Sequence, residues 1–106
     1  MNKDIMNKII AFRDARNWKQ FHTGENLAKA LNIEAAELLE LYQWKHEIDN
    51  IDDLKDELAD VLIYCFLIAD CYHLDVDEII LNKIKKNEIK YPVSKAYGNN
   101  KKYTDL

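Results

Sequence analysis

The chain has 106 residues, 48% of them apolar and 32% charged, with a net charge of −4; this is the balance of one foldable domain, not of a disordered or membrane-embedded chain. Two glycines and one proline, where average usage would give about twelve, exclude an all-β fold built on tight turns and any glycine-rich phosphate loop. The acidic balance excludes a broad basic surface for duplex nucleic acid, and the longest apolar run, residues 61–69, is too short to span a membrane.

Apolar residues at helical spacing (Ile5, Ile9, Phe12) predict a first helix over residues 2–16. The stretch NWKQFHTG has no period and reads as a loop. Thr23 can cap a second helix over 25–45, whose apolar stripe is Leu27, Leu31, Leu38 and Leu41. HEIDNID interrupts the pattern, and Asp52 or Asp53 then caps a third helix running to Tyr72. Val61, Tyr64 and Ile68 project on one side of that helix, and Leu58, Leu62, Cys65 and Ala69 on another. A helix apolar around most of its circumference is the buried one of its bundle. Asp75 with Glu78 three residues on resembles a capping box for a fourth helix, which ends near Tyr91 because Pro92 disfavours helical geometry before it. Residues 93–106 form a tail rich in Lys, Tyr and Asn. The expectation is an all-α, four-helix bundle-like single domain over 1–106, with 93–106 as a basic tail.

Charge is unevenly placed. Residues 1–78 hold 8 basic and 17 acidic groups, and residues 79–106 hold 7 and 2. An acidic cluster beside a basic arm suits a divalent cation that bridges to an anionic ligand; a solvated acidic face with a cationic tail fits the same numbers. The two cysteines, six residues apart, form neither a CxxC motif nor a disulfide framework. The opening MNKDIMNKIIAFRDAR lacks the apolar stretch of a signal peptide. Both point to a cytoplasmic protein.

Two acidic pairs stand apart from the rest. Glu34 and Glu37 share a face of helix 2, and Glu57 and Asp60 share a face of helix 3. Projected on the helix, Glu34 and Glu37 fall in one arc of about 100° with Leu27, Leu38 and Leu41. Glu57 and Asp60 do the same with Val61, Tyr64 and Ile68. Both pairs therefore point with the core stripe. Unpaired buried carboxylates cost several kcal/mol each, so they either bind cations or sit at the rim of the stripe and reach water. Oxygen-only donors favour Mg²⁺ or Mn²⁺ over zinc. A di-iron bundle would need a Glu-x-x-His on each of two helices, and only Asp70-x-x-His73 approximates one.

With these acids in view, the sequence resembles the MazG-like all-α nucleoside triphosphate pyrophosphohydrolases. Their Glu-x-x-Glu, spacer, Glu-x-x-Asp signature reads here Glu34-Ala-Ala-Glu37, nineteen residues, Glu57-Leu-Ala-Asp60. The segments IEAAELLELYQWK and DELADVLIYCFLIAD are similar to the small dCTP-pyrophosphatase-like branch, as are the aromatic FRDARNWKQFHTGENLAKAL and the closing KIKKNEIKYPV. The resemblance implies that Glu34, Glu37, Glu57 and Asp60 hold Mg²⁺, with Mn²⁺ as a substitute. Water then splits a (deoxy)nucleoside triphosphate, dCTP-like or a modified pyrimidine, into monophosphate and pyrophosphate. Glu37 is the candidate catalytic base; Glu40 lies off the core face.

The resemblance further implies that Lys83 and Asn87 contact phosphate and sugar, and that Trp18, His22, Trp44 and Tyr64 enclose the base. It implies a homo-oligomer, tetramer favoured over dimer, with Trp18 and His22 reaching towards a neighbour's site. Phosphoribosyl-ATP pyrophosphohydrolase is the nearest alternative within the group. A non-catalytic helical binding module on the same scaffold is the alternative outside it.

Overall fold

The computed structural model describes residues 3–106. Among them there is no strand. The elements are α1 (Lys3–Ala15), a 3₁₀ turn (Lys19–Phe21), α2 (Gly24–Glu40), α3 (Ile51–Cys71), α4 (Val76–Lys90), a short α5 (Val93–Ala96) and a second 3₁₀ turn (Tyr103–Asp105). The chain forms two compact units, one running to Leu74 and the other covering Asp75–Leu106.

In the first unit α2 packs along α3, and α1 leans on α3. Thr23 caps α2 as its sequence position predicts, accepting from the Asn26 amide at 3.1 Å. The helix ends earlier than expected, at Glu40 instead of Lys45. From Leu41 to Gln43 each amide bonds three residues back, the tighter geometry in which helices run out, and Trp44 then turns left-handed at φ 69°. The cap of α3 is Asn50, not Asp52 or Asp53. Its side chain accepts from the Asp52 amide at 2.8 Å. Asn is among the best caps, and Asp52 and Asp53 fall instead in the first turn, where the helix dipole favours them.

Glycine is scarce because other residues do its work. α1 ends with Trp18 N–H donating to Arg13 C=O and Asn17 N–H to Asp14 C=O, Asn17 being left-handed at φ 56°. α3 ends the same way: Leu74 N–H donates to Ala69 C=O and His73 N–H to Asp70 C=O, with His73 at φ 56°. Both are Schellman closures, which usually take glycine at the left-handed position. At Gly24 a Cβ would lie 1.8 Å from the hydroxyl of the exposed Tyr72, so a side chain there would require that ring to move, and Gly98 takes a left-handed φ of 78°.

Leu27, Phe66, Leu67 and Ala69 are the buried apolar residues, and Leu27 is 1% exposed. The expectation that α3 is buried around most of its circumference holds only for its C-terminal half. Leu58, Leu62 and Cys65 are exposed, so one apolar side of α3 is uncovered among the described residues. Arg13 is also buried and joins α1 to α3 through a 2.7 Å ion pair from its Nη1 to Asp70 Oδ2, while its Nε bonds Asp14 at 2.9 Å.

In the second unit Asp75 caps α4, accepting from the Glu78 amide at 3.0 Å. The segment read as a basic tail folds back on α4. Tyr103 meets Tyr91 edge to face at 6.0 Å, and Lys90 Nζ lies 4.8 Å from the centre of the Tyr103 ring. No helix among the described residues is long and apolar enough to cross a membrane.

A candidate divalent-cation centre beside an aromatic cavity

Glu34 and Glu37 stand one turn apart on α2, and Glu57 faces them from α3. One carboxylate oxygen from each lies within 4.8 Å of the other two. Both helices present these acids on the face they pack together, which is why spacing on the apolar stripe pointed to them. The Oε2 atoms of Glu34 and Glu57 are inaccessible to water and have no hydrogen-bond partner. Loss of water, then the hydrogen bond and charge of Glu37 and the charges of Asp60 and Glu57, raises the pKa of the Glu34 carboxyl above its ordinary value. Burial, then the Glu37 and Asp60 charges, does the same to Glu57. A cluster of hard oxygen donors, two of them buried without a proton donor, fits a divalent cation. Asp60, one turn beyond Glu57, is exposed and stands outside this triad, but its charge is felt by both glutamates.

Asp60 and Glu34 also border a cavity of about 230 Å³, whose wall is otherwise largely apolar: Ile9, Phe12, Trp18, Ile63, Tyr64 and Leu67, with Arg13 and His22. The Schellman closure of α1 sets the start of the loop that carries Trp18. Phe12 meets the indole edge to face at 5.7 Å, and the Arg16 guanidinium lies 3.7 Å over the Phe12 ring. Desolvation and the Glu34, Asp60 and Glu37 charges raise the Tyr64 phenol's pKa, so its O–H proton is retained. His22 has a buried Nδ1 without a partner. Its pKa is lowered by burial and by the Arg13 cation.

Trp18, His22 and Tyr64 are thus brought together beside Glu34 and Asp60. Trp18 and His22, expected to reach towards a neighbour's site, line the cavity of their own chain. Trp44 does not line it; it is 93% exposed. Glu40 borders a different recess with Leu39 and Tyr42. Lys83 and Asn87 lie one turn apart on α4 in the second unit, both exposed. Sequence reasoning missed Phe12 and Arg13. The signal for Arg13 was present: four residues after Ile9, it is a charge on the apolar stripe of α1, the pattern that singled out the carboxylates on α2 and α3.

A helical unit with converging carboxylates beside an aromatic cavity defines the class, and the comparisons agree: the MazG-like family model matches residues 29–106. The chain belongs to the MazG-like family. It is 37% identical to dCTP pyrophosphatase 1 of Mus musculus over an alignment of 113 positions, which covers 98% of this chain and 66% of the mouse protein. It is 35% identical to dCTP pyrophosphatase 1 of Homo sapiens, again over 98% of this chain and 66% of the human one. The chain therefore spans just under two thirds of the length of these relatives. Among solved structures, a pyrophosphatase from Archaeoglobus fulgidus DSM 4304 superposes with a TM-score of 0.79 at 37% identity, covering 85% of this chain and 91% of that one.

Proposed function

We propose that the protein is a cytoplasmic, Mg²⁺-dependent pyrophosphohydrolase of (deoxy)nucleoside triphosphates, with dCTP-like or modified pyrimidine substrates and a role in nucleotide-pool housecleaning. The observation that carries this reading is the junction of the Glu34, Glu37 and Glu57 cluster with the aromatic cavity, since Glu34 belongs to both. A cavity of about 230 Å³ walled by flat and aliphatic side chains, with a few polar atoms, suits a single nucleobase ring.

Glu34, Glu37, Glu57 and Asp60 hold the cation, Mg²⁺ or in its place Mn²⁺. When bound, the ion neutralises triphosphate charge and polarises the attacked phosphoryl group. Glu37 takes a proton from the attacking water as its oxygen bonds to the α-phosphorus, and the bond from that phosphorus to the pyrophosphate oxygen breaks. Monophosphate and pyrophosphate leave. Trp18, His22 and Tyr64 enclose the base, Lys83 and Asn87 contact phosphate and sugar, and Trp44 completes the pocket in the assembled protein. The assembly is a homo-oligomer, tetramer favoured over dimer. The exposed Leu58 and Leu62 of α3, the exposed isoleucines of α4 and the fully exposed Trp44 support it, because apolar surface of this extent marks interaction faces.

The test is a panel of canonical and modified triphosphates with phosphoribosyl-ATP included, assayed for pyrophosphate. Preference for pyrimidine nucleotides is expected. Preference for phosphoribosyl-ATP would redirect the assignment within the group, and silence across the panel would leave a binding module.

A further inference from the structure

Arg13 has no part in the reaction outlined above, yet it is the one buried charged residue among those described, at 5% exposure. It lines the aromatic cavity and also a second, more polar recess of about 380 Å³, and His22 and Leu67 border both. Its guanidinium is fixed by Asp70 at 2.7 Å and Asp14 at 2.9 Å. The next residue after Asp70 holds the histidine from the other side: Cys71 S–H donates to the His22 carbonyl at 3.7 Å. The end of α3 thus grips both the arginine and the backbone of the histidine. The His22 Nδ1 is left buried with no partner in the protein.

We propose that Arg13 is a positioning residue for nucleobase selection: clamped by Asp70 and Asp14, it presents the unpartnered Nδ1 of His22 as a hydrogen-bond acceptor to a base that carries an exocyclic amino group. This rests on the nucleotide-hydrolase reading above. The chemistry follows from what each group can offer. A guanidinium is always charged and only donates, so beside it the imidazole favours its neutral form, in which one ring nitrogen keeps a lone pair and can accept. Burial and the Arg13 charge both lower the histidine's pKa and so favour its neutral form. The cations around His22 are Arg13 from α1 and Lys19 on its own turn, and His73 lies at the end of α3. The acids are Asp14 from α1, Asp70 and Asp60 from α3 and Glu34 from α2. Asp14 and Asp70 are engaged by Arg13, and the cation centre engages Glu34 and Asp60; the neutral Tyr64 and Cys71 complete the surroundings. Cytosine and adenine offer an amino N–H₂ where thymine and uracil offer a carbonyl oxygen. An acceptor at Nδ1 selects the first pair and repels the second.

Two charge variants separate this role from plain packing. Arg13→Gln leaves Asp70 facing His22 unneutralised, so the His22 titration midpoint, read by NMR in Mg²⁺, should rise by about one unit or more. Asp70→Asn leaves the cation in excess, so the midpoint should fall. The preference for dCTP over dUTP in kcat/KM should drop about tenfold in Arg13→Gln near pH 6.5, as the protonated imidazole begins to accept the carbonyl-bearing base. Arg13→Lys should restore most of it. If Arg13→Gln fails to fold, Asp70→Asn still gives the fall, and Arg13→Lys the midpoint and preference close to those of the unmodified protein.

Shifts of the same sign in both charge variants, or an unchanged dCTP to dUTP ratio despite a shifted His22, would overturn the proposal. Should no triphosphate be cleaved, the activity falls separately. The His22 resonance then decides selection on its own: response to dCMP and not dUMP, abolished in Arg13→Gln, supports it, and equal response to both overturns it.

Discussion

Glu37 and Asp60 flank the same carboxylate cluster but do different work. Glu37 lies within 4.8 Å of Glu34 and Glu57, whereas Asp60 stands exposed at the mouth of the cavity. Glu37→Gln removes a charge and the proposed base together and should lower turnover about 10²- to 10⁴-fold, with the far-ultraviolet circular dichroism of the helices unchanged. Asp60→Asn should also cost at least tenfold, and titration with Mg²⁺ should show whether the loss is in metal affinity. The acids also set how stability responds to pH. Glu34 and Glu57 have pKa values raised above those of the unfolded chain, first by burial. The folded state therefore binds more protons than the unfolded state from the ordinary carboxylate range upward, and stability falls as pH rises through that window. Metal-free protein should melt higher at pH 5 than at pH 7. Glu34→Gln should flatten the slope, and saturating Mg²⁺ should raise the pH 7 melting temperature.

At the scale of elements, helix identity was legible because apolar spacing in each long segment is strong: Ile5, Ile9 and Phe12 for α1, Leu27, Leu31 and Leu38 for α2. Ends were harder. Leu41 and Tyr42 continue the apolar period beyond α2, so pattern alone does not reveal the shift to three-residue hydrogen bonds after Glu40. Three adjacent capping types, Asn50, Asp52 and Asp53, made the start of α3 ambiguous, and geometry chose Asn50. The carboxylate site was readable from charge placed on an apolar stripe. The cavity was only half readable, because Trp18 and His22 lie in a loop without period and Arg13's role emerges from tertiary contacts with Asp70. The caps themselves can be tested. Thr23→Ala should destabilise by about 1 kcal/mol, lowering the melting temperature by about 4–8 °C. His73→Gly should act in the opposite sense by about 0.5–1 kcal/mol, since glycine relieves the left-handed φ of 56°.

For the whole molecule, the buried apolar set of Leu27, Phe66, Leu67 and Ala69 is small for a chain with so many exposed isoleucines and leucines. The proposed assembly would cover this surface in solution. Light scattering should give a mass of at least two chains. Leu62→Glu, on the uncovered side of α3, should shift it towards one chain and reduce activity with it. A fully active monomer would remove both the assembly and the place given to Trp44.

The central claim is that the Glu34, Glu37 and Glu57 cluster binds a divalent cation for cleavage between the α- and β-phosphates. The most direct measurement is the ³¹P NMR spectrum of dCTP incubated with the protein, with Mg²⁺ and with excess chelator. The account predicts dCMP and pyrophosphate resonances with Mg²⁺, none with chelator, and none from Glu34→Gln with either. Orthophosphate with dCDP, or equal product with chelator present, would contradict it.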